Sequence, residues 1–225
     1  MGVGFMGAYN LYKNPSGERI ASTSRTVYEI DHSLYLNLTN SCTNECYFCP
    51  RLHSNFYHGY NLRIQALPNG SELIHMVEFP RRYREIVFSG FGEPTLRLGV
   101  IKYVSQWVKD HQGRTRLVTN GHGNLIHKRN IVPELVGLID TMSISLNADT
   151  PDNYIKFCRP QFGIETYSNV IEFIKQSIKY IPTVEITTVA SPGINTQKCL
   201  ELAIELGANF RLRELIPPRH KLNQN

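Results

Sequence analysis

Long apolar runs are missing from this chain. No stretch of 18 apolar residues occurs, so no membrane-spanning helix is expected. Charge of one sign is scarce too. The 24 Lys and Arg residues stand against 19 Asp and Glu, a net of +5, which permits a nucleic-acid partner without arguing for one. The small basic clumps at 81–84 and 127–129 read as solvated surface. The opening MGVGFMGAYNLYK lacks a basic segment followed by an apolar one, so export is not expected and a cytoplasmic location is. Met6 stands where a myristoylation signal needs Ser or Thr. No G-X-Y or heptad repeat is sustained, and a hydrophobic share of 41% excludes disorder over most of the length. The 225 residues suit one domain at roughly 150 residues per domain, large enough to bury a core without disulfides.

Cysteine is also sparse, and its distribution is uneven. Of five cysteines, Cys42, Cys46 and Cys49 fall within eight residues, while Cys158 and Cys199 stand alone. An odd, clustered set is a poor disulfide framework, so reduced thiols are expected.

What is present is alternation of strand and helix signals. Residues 1–31 show no clean period, with a turn at 14–17, and read as an N-terminal extension. Strand patterns follow at 33–40, 85–89, 115–120, 140–147, 183–190 and 208–214. The Asn37-Leu38-Thr39 glycosylation sequon falls inside the first of these and carries no weight. Helical spacing links Leu98, Ile101, Val104, Trp107 and Val108, then Val170, Phe173, Ile174 and Ile178, then Leu200, Ala203, Ile204 and Leu206. Asn195 or Thr196 caps the last of these and Gly207 ends it. About six strand–helix units imply a parallel α/β sheet. Eight units would close a barrel of ~250 residues, so a partial (βα)6 TIM-like barrel with helices outside is expected, an open doubly wound sheet being the alternative. The domain spans 32–216, and 217–225 is a polar tail.

In either fold the site lies at the C-terminal ends of the strands. CTNECYFCP, GFGEPT and NGHGN follow the first three strands directly, and the fourth ends in Ser145 and Asn147. Three soft thiolates at C-x3-C-x2-C spacing suit an iron–sulfur cluster with one open iron, or zinc if His53 or His58 supplies a fourth ligand.

At this point the chain resembles a family. Cys42-Thr-Asn-Glu-Cys46-Tyr-Phe48-Cys49 is similar to the CxxxCxΦC signature of radical S-adenosylmethionine (SAM) enzymes, with Phe48 as the aromatic. Gly90-Phe91-Gly92-Glu93 resembles that family's GGE motif, Thr119-Asn120-Gly121 its TNG, and Ser145-Leu146-Asn147 its polar fourth-strand end. A GxIxG-type adenine motif is not evident in VEITTVASPGIN, which leaves Val189 and Ala190 as guesses for that contact.

The resemblance covers roughly 33–214. It implies a [4Fe–4S] cluster on Cys42, Cys46 and Cys49, and a SAM site that includes Phe48, Gly90, Gly92, Glu93, Asn120, Ser145 and Asn147. Glu93 would act electrostatically, meeting the SAM ammonium. The implied reaction is reductive cleavage of SAM to a 5′-deoxyadenosyl radical that abstracts hydrogen from a substrate. An electron donor such as flavodoxin or ferredoxin is implied as well. LYLNLTNSCTNECYFCPR, FSGFGEPTLRL, TNGHGNLIHKRNIVPELVGLIDTMSISLNA and CRPQFG together resemble small radical SAM proteins associated with TatD-type nucleases. Alternatives are an activase that installs a glycyl radical on a partner protein, and a non-catalytic metal-binding module associated with a nuclease.

The remaining candidates read more plainly. His122, Asn124, His127, Lys128 and Arg129 follow Gly121 at the rim and read as a plain loop, with substrate contact as the alternative. Arg211 and Arg213 alternate on the last strand and suit an anionic group or salt bridges, as does Arg159 in its loop. Cys199 reads as core packing and Cys158 as structural or substrate-side, and two isolated cysteines cannot build a further cluster.

Overall fold

The computed structural model describes residues 11–13, 19–21 and 25–216. The polar tail at 217–225 lies outside the described residues. The elements in chain order are β1 (Leu11–Lys13), β2 (Arg19–Ala21), β3 (Val27–Ile30), β4 (Ser33–Asn37), β5 (Phe56–Tyr57), β6 (Tyr60–Asn61), α1 (Gly70–Val77), β7 (Ile86–Ser89), α2 (Leu98–Asp110), β8 (Thr115–Thr119), α3 (Gly123–His127), β9 (Thr141–Ser145), α4 (Pro151–Cys158), α5 (Thr166–Tyr180), β10 (Thr183–Val189), α6 (Thr196–Leu206) and β11 (Asn209–Arg213).

Seven strands form one sheet in the order β11-β10-β9-β8-β7-β4-β3. Its six members from β4 to β11 pair in parallel, and β3 adds an antiparallel edge. The edges β3 and β11 do not pair with each other, so the barrel stays open, as six units require. Residues 27–30 were expected in an extension without pattern; they instead give β3, whose four residues are too few to show a period.

The register sorts the side chains by face. Leu34 and Leu36, Ile86 and Phe88, Leu117, Met142 and Ile144, Val184 and Ile186 share the buried outer face. Against it lie Ile101, Val104 and Val108 of α2 and Val170, Phe173 and Ile174 of α5, all fully buried. Each such side chain contributes roughly 1.5–3 kcal/mol. The helical spacing read from sequence is therefore the spacing that covers the sheet.

Local chemistry starts and stops these helices. Asn69 and Glu72 form a reciprocal capping box on α1. Asn195 accepts from Lys198 N to open α6, and Gly207 closes it with φ 77°. The strands stop short of the sequence-based bounds: β4 ends at Asn37, not 40, and β9 at Ser145, not 147. The residues so released form the rim.

Candidate functional site

A cavity of about 600 Å³ opens at the C-terminal ends of the parallel strands. Cys42, Cys46, Phe48, Cys49, Gly90, Gly92, Glu93, Asn120, Ser145 and Asn147 all line it. The three thiols and these seven residues thus line one cavity.

The cysteine loop after β4 is ordered by the protein around it. Tyr47 N donates to Phe157 O at 3.2 Å, Glu45 N to Cys158 O at 3.0 Å and Gln161 N to Thr43 O at 3.0 Å, which joins the loop to the end of α4. Arg51 donates to the carbonyls of Asn44 at 2.7 Å and Asn40 at 3.3 Å. Beneath it, His122 bonds Thr43 Oγ1 and Tyr154 Oη, both at 2.7 Å. Burial drives the His122 pKa down to about 3, so the ring is neutral at pH 7.

That shift has a stability consequence. The unfolded chain takes up a proton near pH 6.5 and the folded chain does not until about pH 3. The contribution of His122 is therefore complete above pH 6.5 and lost as pH falls through that window, at up to about 1.4 kcal/mol per pH unit. We expect His122→Asn to flatten the acid limb of the stability profile between pH 6 and 4. An unchanged slope in urea titrations would show that the ring is not the titrating group.

The three thiols fit a metal centre by their chemistry. All are soft donors on one wall, and their protonated forms are favoured in the free protein. Burial pushes Cys42 up to about 12, aided by the Glu93 charge, and burial also raises Cys49. Cys46 is raised first by the thiol of Cys158 and then by burial. Binding a metal there releases protons. Among the described residues, no three His, Cys, Asp or Glu side chains are gathered as a single ion requires. His58 is on the cavity wall, and His53 lines a smaller neighbouring cavity. Cys158 is fully buried behind Cys46, off the wall, which removes the substrate-side reading.

The loop after β7 carries the glycines and Glu93. A Cβ on Gly92 would stand 2.3 Å from Ser41 O and 2.4 Å from Thr39 O, and one on Gly90, at φ +119°, 2.1 Å from Asn37 Oδ1. These glycines let two loops of the protein touch, a reason within the fold itself. Gly92→Ala must push the cysteine loop aside; we expect a loss of about 2–4 kcal/mol by the overpacking rule, read as a lowered urea midpoint. An alanine variant with an unshifted midpoint would contradict the contact.

Glu93 is 2% exposed. Its Oε1 accepts from Thr95 N, Thr95 Oγ1 and Thr119 Oγ1 at 2.7–3.0 Å, and Oε2 accepts from Asn120 N at 2.7 Å. Burial raises its pKa, opposed by those four bonds. The carboxylate reaches the cavity while serving as the hub that fixes the β8 exit.

Asn120 Nδ2 donates to Thr43 Oγ1 at 2.9 Å and lies 3.8 Å from Cys42 Sγ. Asn147 Oδ1 accepts from Val189 N at 3.0 Å, which ties the β9 exit to the end of β10. Val189 is on the wall; Ala190 and Arg159 are exposed and off it. Asn124 accepts from Ile131 N, and Arg129 pairs with Glu134, so neither reaches the cavity. Cys199 is buried in the core.

The sequence reading missed two features. Tyr28, Tyr35 and Tyr57 line the cavity from the β3 side, and Tyr28 and Tyr35 stack at 5.2 Å. Below the rim, the inner sheet face carries a charge ladder. Arg116 bonds Glu85 at 2.9 Å, Ser143 at 2.8 Å and Glu185 at 3.3 Å, and Arg211 pairs with Glu185 at 2.9 Å. Burial opposes ionisation of Glu185, but Arg211 and Ser143 outweigh it and hold its carboxyl below the usual range. Period-two polarity in TRLVT, TMSIS, TVEIT and NFRLR marks these positions as one polar face without showing that the face lines a cavity.

Similarity to known proteins agrees with this geometry. The radical SAM superfamily is matched over residues 36–206, more than half of the chain. A probable GTP 3',8-cyclase of Thermococcus kodakarensis is 25% identical over 190 residues, 83% of this chain and 58% of that protein. An uncharacterized protein of Methanocaldococcus jannaschii is 28% identical over 176 residues, 78% of this chain and 53% of that one. The chain thus spans little more than half the length of these relatives. In fold it resembles Streptococcus suis SuiB bound to S-adenosylmethionine, with a TM-score of 0.63 and 15% identity over 88% of this chain and 42% of that one.

Proposed function

Because the chain belongs to the radical SAM superfamily, we propose that it acts as a radical SAM enzyme with Cys42, Cys46 and Cys49 as the three ligands of its cluster. The family's cofactors are a [4Fe–4S] cluster and SAM. When bound, they supply a 5′-deoxyadenosyl radical that takes a hydrogen atom from the substrate. The observation that supports the reading is the convergence of the three thiols, Glu93 and Asn120 on one cavity.

The protein's own residues do the rest. Phe48, between Cys46 and Cys49 in the chain, is buried and gives the cavity an apolar surface beside the thiols. Glu93 carries negative charge toward the site and suits an ammonium group. Asn120, Ser145 and Asn147 present amide and hydroxyl groups to a polar ligand. Val189 offers an apolar surface beside them.

The resemblance to TatD-associated proteins and a flavodoxin- or ferredoxin-type electron donor belong to the same proposal, as does a cytoplasmic location. No helix among the described residues is long and apolar enough to cross a membrane. The test is anaerobic reconstitution with iron and sulfide, followed by dithionite and SAM. Formation of 5′-deoxyadenosine is expected; a chain that holds iron and forms none is a binding module.

A further inference from the structure

The charges on the cavity wall do not all find partners. Glu93 has its four donors, and Arg211 has Glu185. Arg213 differs. Its Nε is buried and, among the described residues, has no hydrogen-bond partner. Its Nη2 makes only long contacts, 3.4 Å to Ser145 Oγ and 3.3 Å to Asn147 Oδ1. That Asn147 oxygen already accepts from Val189 N.

The nearby carboxylates are taken. Glu185 is held by Arg116, Arg211 and Ser143, and Glu85 by Arg116. Glu214 is exposed at the rim and, among the described residues, makes no ion pair with Arg213. Tyr57, Cys46 and Cys49 also face the guanidinium. Burial, with Arg211 adding to it, disfavours the charge. An arginine nevertheless stays protonated in proteins. An unpaired buried cation costs several kcal/mol, and buried charges are normally paired. Arg213 itself is one of the residues that line the cavity.

We propose that Arg213 is the anion receptor of this cavity and takes a carboxylate or phosphate group brought by a ligand. The planar guanidinium is the fork that such groups fit with two parallel bonds. The anion has two sources: the amino-acid carboxylate of SAM or an acidic group on the substrate. The first source rests on the function proposed above; the second needs only the cavity.

The test uses the full chain after anaerobic reconstitution, as wild type, Arg213→Met and Arg213→Lys. Thermal unfolding and equilibrium binding are measured with SAM, with its decarboxylated analogue S-adenosylmethioninamine, and with inorganic pyrophosphate. Ligand-free Arg213→Met is expected to melt no lower than wild type, because an apolar chain replaces an unpaired charge. Its affinity for the anionic probe is expected to fall by about tenfold or more, as loss of a charge-assisted bond predicts. Arg213→Lys keeps the charge, loses the fork and falls between.

If SAM binding weakens tenfold and the decarboxylated analogue is unaffected, the anion is the SAM carboxylate. If SAM binding holds and stabilisation by pyrophosphate is lost, the anion is the substrate's. The proposal is overturned if both variants bind SAM and pyrophosphate within twofold of wild type. It is also overturned if Arg213→Met loses only its iron, since the residue then serves the thiolates. Should the Met variant fail to fold, the Lys variant decides. A wild-type chain that takes up no iron speaks against the three-thiol reading, and the pyrophosphate arm, which needs no cluster, still judges Arg213.

Discussion

Cys46→Ala is expected to fold and to form no 5′-deoxyadenosine above background. The three thiols line one cavity; Cys158 touches Cys46 from behind but is buried and does not line the cavity, and Cys199 is in the core. Removing one leaves two donors, too few to hold a cluster that must keep one iron open. The fold does not depend on that side chain. The loop is held by backbone bonds to Phe157 and Cys158 and by Arg51, all of which remain. Iron content, the brown absorbance and the circular dichroism spectrum check the three parts separately. Cys199→Ala is the control: it should keep the cluster and cost about 1–2 kcal/mol for its small buried thiol. An alanine at 46 that retains colour and SAM cleavage would sink the ligand assignment.

Glu93→Gln is expected to cost about 2–4 kcal/mol of stability and to disturb the site besides. Both carboxylate oxygens accept a backbone N–H, Thr95 N on one and Asn120 N on the other. An amide offers a single oxygen, so its NH2 must face one of those donors and leave it unpaired in the interior. Neutralising a buried carboxylate brings some relief, because burial already raises its pKa. Four inward-pointing donors outweigh that relief. The urea midpoint should fall with an unchanged m-value. SAM affinity should fall as well, because Asn120 loses its anchor beside Cys42. Wild-type stability in this variant would show that the carboxylate is not the hub of the β8 exit.

The outer face of the sheet was legible because apolar residues mark it twice, by alternation in the strands and by helical spacing in α2, α5 and α6. The inner face was not. Arg116 and Glu185 look in sequence like solvent-facing residues, and period-two polarity cannot distinguish bulk water from a lined cavity; Arg211, read as suited to an anion or a salt bridge, pairs with Glu185. The thiols were singled out by spacing alone, since three candidate ligands on one loop need no tertiary information. Cys158 gave no such signal, because α4 brings it to Cys46 only in the folded chain. Gly90 and Gly92 were singled out because a ligand was expected to need the room; in the structure the neighbouring strand exit occupies it.

That contact has a mechanical corollary. Glu93 N donates to Ser41 O at 2.8 Å, and Gly92 sits against the carbonyls of Thr39 and Ser41. The loop with the thiols and the loop with Glu93 therefore behave as a single piece without an internal joint, and such a piece cannot serve as its own door. The opposite boundary of the cavity is built otherwise. There the edges β3 and β11 share no ladder among the described residues, and Tyr28, Tyr57, Leu212 and Glu214 all line the cavity. Widening that gap breaks no described strand pairing, so the cavity yields most readily on the side where the barrel was left unfinished.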